Sequence, residues 1–296
     1  MGRYPSVIRQ GSSGDDVKWL QSLLNDRLES SEDGFAYVGA AYIKDGVVTS
    51  GTLTVRSGMS TSSKEVGKLK NGDKVYVCST MGAWSKIKYG SPKLKISGVA
   101  DSDTISKLKE FQKQNKLVSD GVCGDKTWAV LLPDAVYYRQ NGMSYSGLPY
   151  TSTGNKSQTI GSSGCGVVSM AMAVASLTKK AVDIVKLADI AVKNGFRTAN
   201  SGTSWGFFQF AAKMFGLKCK QTSSFDEMVK ALDGGAFVVA SMGVGYYTRG
   251  GHYILVWARN PFSKTIYTLD PASANRPSCS DALMKRESKQ YFIIQK

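Results

Sequence analysis

The run CGVVSMAMAVASLTK, residues 165–179, constrains the fold more than any other stretch of the chain. Wound into a helix it is apolar on nearly every face, and such a helix is stable only with protein packed all round it. It therefore predicts a central helix in a domain with a full core. Its first residue, Cys165, stands between Gly164 and Gly166. A cysteine there is either a small buried hydrophobe or a nucleophile, because the first turn of a helix offers unpaired N–H groups and a positive dipole end to a thiolate. The two glycines are expected to leave room for a substrate carbonyl.

Around that helix the pattern from residue 135 onward predicts further helices over 181–194 and 204–215 and a fourth capped by Ser224 with Glu227 three residues on. The strands AFVVASMG, GHYILVWARN, TIYTLDP and QYFIIQK follow. Helices first and antiparallel strands after make an α+β domain. His252, the one histidine of the 296 residues, opens the second of these strands behind two glycines, which places its imidazole at a strand end facing a cleft. A lone histidine is otherwise an ordinary structural or surface residue. Asp270 closes the next strand ahead of Pro271, where a hairpin partner would bring a carboxylate to the far side of the ring, although Asp-Pro is also a common turn. Together Cys165, His252 and Asp270 offer a nucleophile, a base and an orienting acid. An oxyanion hole needs donors aimed at the carbonyl oxygen. The backbone N–H of Cys165 is one, and Gln140 in YYRQ is the chosen side-chain amide, with Gln158 the nearer alternative.

The segment 135–296 resembles the papain-like cysteine peptidases related to the bacteriocin-leader-processing domains of export transporters, through YYRQ, IGSSGCG, GHYILV and LDP. The resemblance implies Gln140 as oxyanion amide, Cys165 as nucleophile, His252 as general base and then acid, and Asp270 as its orienter. Val167 and Val168 depart from it, standing where the family usually shows a small residue and then Ser or Thr.

The front of the chain reads differently. RQGSSGDDVKWLQSLL predicts a helix capped at Ser13 or Asp15 with Val17, Leu20, Leu23 and Leu24 at helical spacing, and a second stretch predicts helices around Ile105, Leu108 and Phe111 and from about Asp125. These stretches resemble the two halves of a three-helix peptidoglycan-binding domain, residues 1–30 and 96–133. Between them, residues 31–95 alternate in polarity between Gly, Ser and Asn turns. LTVRSGMSTSSKEVGKLKNGDKVYVCSTMGAWSKI, from Leu53 to Ile87, resembles a bacterial SH3-like wall module. DGFAYVGAAYIK precedes it where that family places such a segment after the Trp, so a circularly permuted barrel inserted in a helical domain is expected. Tyr37, Tyr42, Trp84 and Tyr89 belong either to the barrel core or to a glycan or peptide groove.

Charge and cysteines narrow the partners. The formal charge is +15, with 38 Lys and Arg against 23 Asp and Glu, and the excess lies mostly after residue 133. That implies anionic partners, for which bacterial wall polymers fit better than nucleic acid, since no nucleic-acid-binding pattern occurs. Five scattered cysteines without a C-x-x-C pair predict neither a disulfide framework nor a metal site, and Cys78, Cys123 and Cys219 are expected to pack as small apolar residues. No cofactor is implied. The opening residues do not resemble a signal peptide and no 18-residue apolar run occurs, so synthesis in the cytoplasm and action on the cell wall are expected. The function so implied is an endolysin-like peptidoglycan endopeptidase. An amidase with the same triad, an inactive wall-binding protein and a leader-peptide processing enzyme are the other readings.

Overall fold

The computed structural model describes residues 4–28, 32–37, 43–44, 46–49, 51–73, 75–89 and 94–296. The chain divides into two compact units, Ile8–Val122 and Met1–Val7 with Cys123–Lys296. Among the described residues no helix is long and apolar enough to cross a membrane.

In the first unit α1 (Asp15–Arg27) starts after Gly14, not after the Ser13 or Asp15 cap the sequence suggests. Ser13 is engaged in a backbone bridge to Val99, and the turn into the helix runs through Gly14 at φ 116°, a conformation open to glycine. Gln21, fully buried on α1, donates to the Val99 carbonyl and to Thr104 Oγ1, each at 3.0 Å, and accepts from the Gly98 N–H. These bonds hold the 97–99 turn and the helix that closes the unit against α1.

The strands between are β1 (Glu32–Tyr37), β2 (Ile43–Lys44), β3 (Val47–Val48), β4 (Thr52–Arg56), β5 (Glu65–Lys70), β6 (Val75–Met81) and β7 (Trp84–Tyr89), and α2 (Ser102–Gln114) closes the unit. Asp101 caps α2, accepting from the Thr104 N–H. The larger sheet is antiparallel in the order β5-β4-β1-β7-β6, so the first strand of the insert in sequence is its middle strand in space. Among the described residues this sheet is open, and the closed barrel expected from the sequence is not found. Its apolar face, with Ala36, Leu53, Val55, Leu69 and Ile87, is joined by Val48 of the β2–β3 hairpin, which the Val48 N–H ties to the Asp73 carbonyl. The hairpin covers the face that closure would otherwise have to bury. Tyr42 lies outside the described residues.

The second unit begins with α3 (Asp125–Leu131), followed by α4 (Ile160–Ser163), α5 (Cys165–Thr178), α6 (Ile184–Lys193) and α7 (Gly206–Met214). Then come β8 (Lys218–Thr222), α8 (Phe225–Asp233), β9 (Phe237–Met242), β10 (His252–Asn260), β11 (Thr265–Leu269), β12 (Ser278–Ser280), α9 (Asp281–Glu287) and β13 (Ser288–Gln295). The sheet is antiparallel throughout, in the order β12-β11-β10-β9-β13-β8. Every residue from Gly166 to Leu177 is buried, as the all-apolar pattern of α5 requires, and Ser169 Oγ donates to the Tyr253 carbonyl on β10 at 3.1 Å. On the sheet's other face Met228 and Leu232 of α8 pack with Val238, Ala240, Ile254 and Val256. Helices on both faces explain why β9 is buried at every position. Each such aliphatic side chain taken from water contributes about 1.5–3 kcal/mol.

The helix expected over 181–194 is shorter. Lys179 takes the left-handed conformation that ends α5, and α6 starts only at Ile184, where the Asp183 side chain accepts from the Lys186 N–H. The short elements α4, β12 and α9 have no periodic pattern in the sequence to announce them.

Candidate active site

Cys165 is the first residue of α5, and its N-cap Gly164 has no side chain to occupy the N–H groups of the first turn. Those groups and the positive end of a 14-residue helix therefore lie at the partly exposed sulfur. The flanking glycines do not leave a vacant space for substrate, as the sequence suggested. A Cβ on Gly164 would sit 2.5 Å from the Ile160 carbonyl oxygen, and one on Gly166 2.7 Å from the Thr203 side chain. Protein fills both positions, so the glycines let α4 and the 198–204 loop close directly around the cysteine.

His252 begins β10 opposite Met242, and Asp270 follows β11 immediately; the antiparallel pairing of β10 and β11 brings the two side chains together across 18 residues of chain. His252 Nε2 lies 2.7 Å from Asp270 Oδ1, and both side chains are buried. Cys165 is the other group that acts on the imidazole, and like Asp270 it favours the protonated ring. Burial pushes the imidazole pKa down, but the hydrogen bond to Asp270 and the influence of Cys165 and Asp270 outweigh it, and the result is raised to about 9.

Asp270 is held from several sides. Oδ1 also accepts from the Ala272 N–H at 2.8 Å, the Asp270 carbonyl accepts from the Tyr137 hydroxyl at 2.8 Å, and the Gln140 N–H donates to the Pro271 carbonyl at 2.8 Å. Gln140 is thus brought to the site by its backbone. Its buried side chain donates from Nε2 to the Gly161 carbonyl at 2.8 Å, which fixes the amide's orientation and leaves a second N–H on the same nitrogen. Gln158 is not equivalent. Its Nε2 donates to the Ala199 carbonyl at 2.6 Å and its Oε1 accepts from Thr151, so its amide serves the surrounding loops. The structure therefore joins His252 to Asp270, ties the Gln140 backbone to the residue after that carboxylate and its amide to Gly161, and leaves Gln158 bracing the loops.

The model of the Peptidase C39 like family matches residues 134–296, more than half of the chain. The chain belongs to the Peptidase C39 like family. A peptidoglycan binding domain model matches residues 86–131. Among solved structures, the C39-like domain is similar to the peptidase domain of Streptococcus ComA, a bi-functional ABC transporter involved in a quorum sensing pathway, at 19% identity and TM-score 0.36, covering 44% of this chain and 90% of that one. It is also similar to a C39-like peptidase from Bacillus anthracis, at 15% identity and TM-score 0.37, covering 56% and 96%. No curated protein matches the chain in sequence. Family membership supports a papain-like cysteine peptidase, and the additional domain supports action at the cell wall.

Within the C39-like domain, several residues that sequence reasoning passed over complete the surroundings of the cysteine. Tyr150 Oη and Thr203 Oγ1 are 2.8 Å apart, Tyr253 donates its hydroxyl to the Thr203 carbonyl at 2.8 Å, and buried Arg197 donates from Nε to the Tyr150 carbonyl at 2.8 Å. Burial raises the Tyr150 phenol to about 12, so it stays neutral and able to donate. The departing residues Val167 and Val168 are fully buried in α5 and serve packing. Among the other cysteines, burial raises Cys219 to about 12 and Cys279 to about 11, which keeps both as thiols at neutral pH. Cys78 does not pack as a core residue: the register shifts between Val77 and Ser79, and the residue between them is exposed.

Proposed function

We propose that the protein is a peptidoglycan hydrolase of the cysteine endopeptidase type, cutting an amide of the stem peptide or cross-bridge. The observation that carries the proposal is the buried His252, hydrogen-bonded to Asp270 and raised in pKa by both Asp270 and Cys165, with the cysteine at the start of α5. In this mechanism the Cys165 thiolate attacks the amide carbonyl carbon. The oxyanion receives hydrogen bonds from the Cys165 N–H and the second N–H of Gln140. The His252 imidazolium gives its proton to the departing amine nitrogen as the C–N bond breaks. Water, deprotonated by the now neutral imidazole, then hydrolyses the thioester and returns the thiol. Asp270 keeps the ring in register throughout.

The front unit supplies attachment to the wall in this reading. Its insert, residues 31–95, is taken as an SH3-like module in permuted order, with support from the placement of β1 between β4 and β7. The strand register sets Tyr37 opposite Trp84 and Met81 opposite Trp84, giving an apolar row across three strands in which Tyr37 and Met81 are about half exposed. Tyr37 and Trp84 meet edge to face at 5.3 Å. Tyr89, in contrast, packs over Gly67 and donates to the Val66 carbonyl. The row is therefore the candidate for wall contact, and Tyr89 a structural residue. An endolysin-like role combines these modules with the peptidase.

Purified peptidoglycan of several chemotypes, digested and analysed by mass spectrometry, tests the reading. New peptide amino termini are expected. Release of stem peptides from intact lactyl groups would replace the endopeptidase by an amidase, and lysis by Cys165→Ala at the wild-type rate would refute the catalytic role.

A further inference from the structure

The turn Pro271–Pro277 after the triad carboxylate returns a cation to it. Arg276 Nε lies 3.0 Å from Asp270 Oδ2. Its N–H does not aim at that oxygen as a hydrogen bond would, so Oδ2 is paired by charge, while Oδ1 is the directed oxygen that takes His252 and the Ala272 N–H. The same guanidinium donates from Nη1 to the backbone carbonyls of Tyr246 and Tyr247, on the loop that leads into His252, and lies 5.9 Å from the centre of the Tyr247 ring. The Arg276 carbonyl in turn accepts from Thr268 Oγ1, whose hydroxyl also meets the Tyr247 phenol. Arg276 is thus fixed at both its backbone and its fork, with its charge against a carboxylate that has no exposed surface.

We infer that Arg276 is a positioning residue of the reaction, sharing the charge of Asp270 so that the carboxylate steadies the His252 imidazolium without holding its proton too tightly to be given to the leaving amine. The inference rests on the proposed Cys165–His252 chemistry. His252 faces Asp270 and Cys165, and Asp270 faces His252, Arg276 and, through its carbonyl, the Tyr137 phenol. A positive charge beside the carboxylate opposes protonation of the ring, so removing it should make the ring more basic. Loss of geometry alone would do the reverse, by withdrawing the carboxylate.

The test compares Arg276→Gln, which removes the charge but can still donate to the Tyr246 and Tyr247 carbonyls, with Arg276→Lys, which keeps the charge. Alkylation of Cys165 by iodoacetamide is followed by mass spectrometry across pH, together with wall lysis, on full-length protein whose folding is checked by its melting curve. In wild type the alkaline limb set by His252 is expected near pH 9. Arg276→Gln should move it upward by about half to one unit and slow lysis about three- to tenfold, whereas Arg276→Lys should leave the limb in place. A limb that stays or falls in Arg276→Gln overturns the inference. His252→Ala gives the separate control: if its profile equals wild type, the Cys165–His252 reading itself is wrong, whatever Arg276 does.

Discussion

The two units bury their sheets differently. In the C39-like domain the strands beside the site are covered on both faces, and α5 is enclosed along its whole length. In the front unit the sheet has one apolar face over a small cluster, and its other side carries Tyr37 and Met81 in the open. A thiol, a ring and a carboxylate must be held to within a fraction of an ångström, and only a two-sided core with locked neighbours does that. A surface that grips an irregular polymer needs exposed apolar area more than rigidity.

Substitutions at the glycines of the catalytic helix should expose that contrast most strongly. Gly164→Ala pushes a methyl group into the Ile160 backbone carbonyl, which cannot yield without moving α4, so a loss of about 2–4 kcal/mol in stability and near-complete loss of lysis are expected. Chemical denaturation and turbidity assays check both. In the front unit, replacing Tyr37 and Trp84 together by alanine should lower retention on purified sacculi about tenfold, because their aromatic area is no longer available to the partner. Cleavage of a short soluble peptide by the same variant should be unchanged, and a parallel fall in both would break the division of labour between the units.

The folded-state pKa of His252 is raised from 6.5 to about 9, so its contribution to stability is fully present below pH 6.5 and is lost as pH rises through 9. The melting temperature of the C39-like domain should fall between pH 6.5 and 9 in wild type, and that dependence should flatten in His252→Ala. The smallest effect belongs to the front unit, where Asp101→Ala removes the cap of α2 at a cost of about 1 kcal/mol, measurable by thermal melting.

Local sequence carried much of this organisation. Ser224 caps α8 and accepts from the Glu227 N–H, and the four strands read from alternation after residue 235 are all present. Cys165, His252 and Asp270 were legible because each is an unusual residue at the end of a regular element. Arg276 was not, since nothing in SANRP distinguishes a surface arginine from one that folds back on a carboxylate. The filled space beside Gly164 and Gly166 was also hidden, because Ile160 and Thr203 become neighbours of these glycines only through packing.

By itself, the order of residues determined that a wholly apolar helix headed by a cysteine must lie inside a domain, and that a histidine and an aspartate would end neighbouring strands. Those outcomes follow from periodicity and turn chemistry, which act over a few residues. Only tertiary structure decided which carboxylate oxygen faces the ring, that the amide of Gln140 bonds Gly161 while that of Gln158 bonds Ala199, and that among the described residues the insert's sheet is open beneath a hairpin. Each of these depends on contacts between distant segments, whose distances and burial no local pattern encodes.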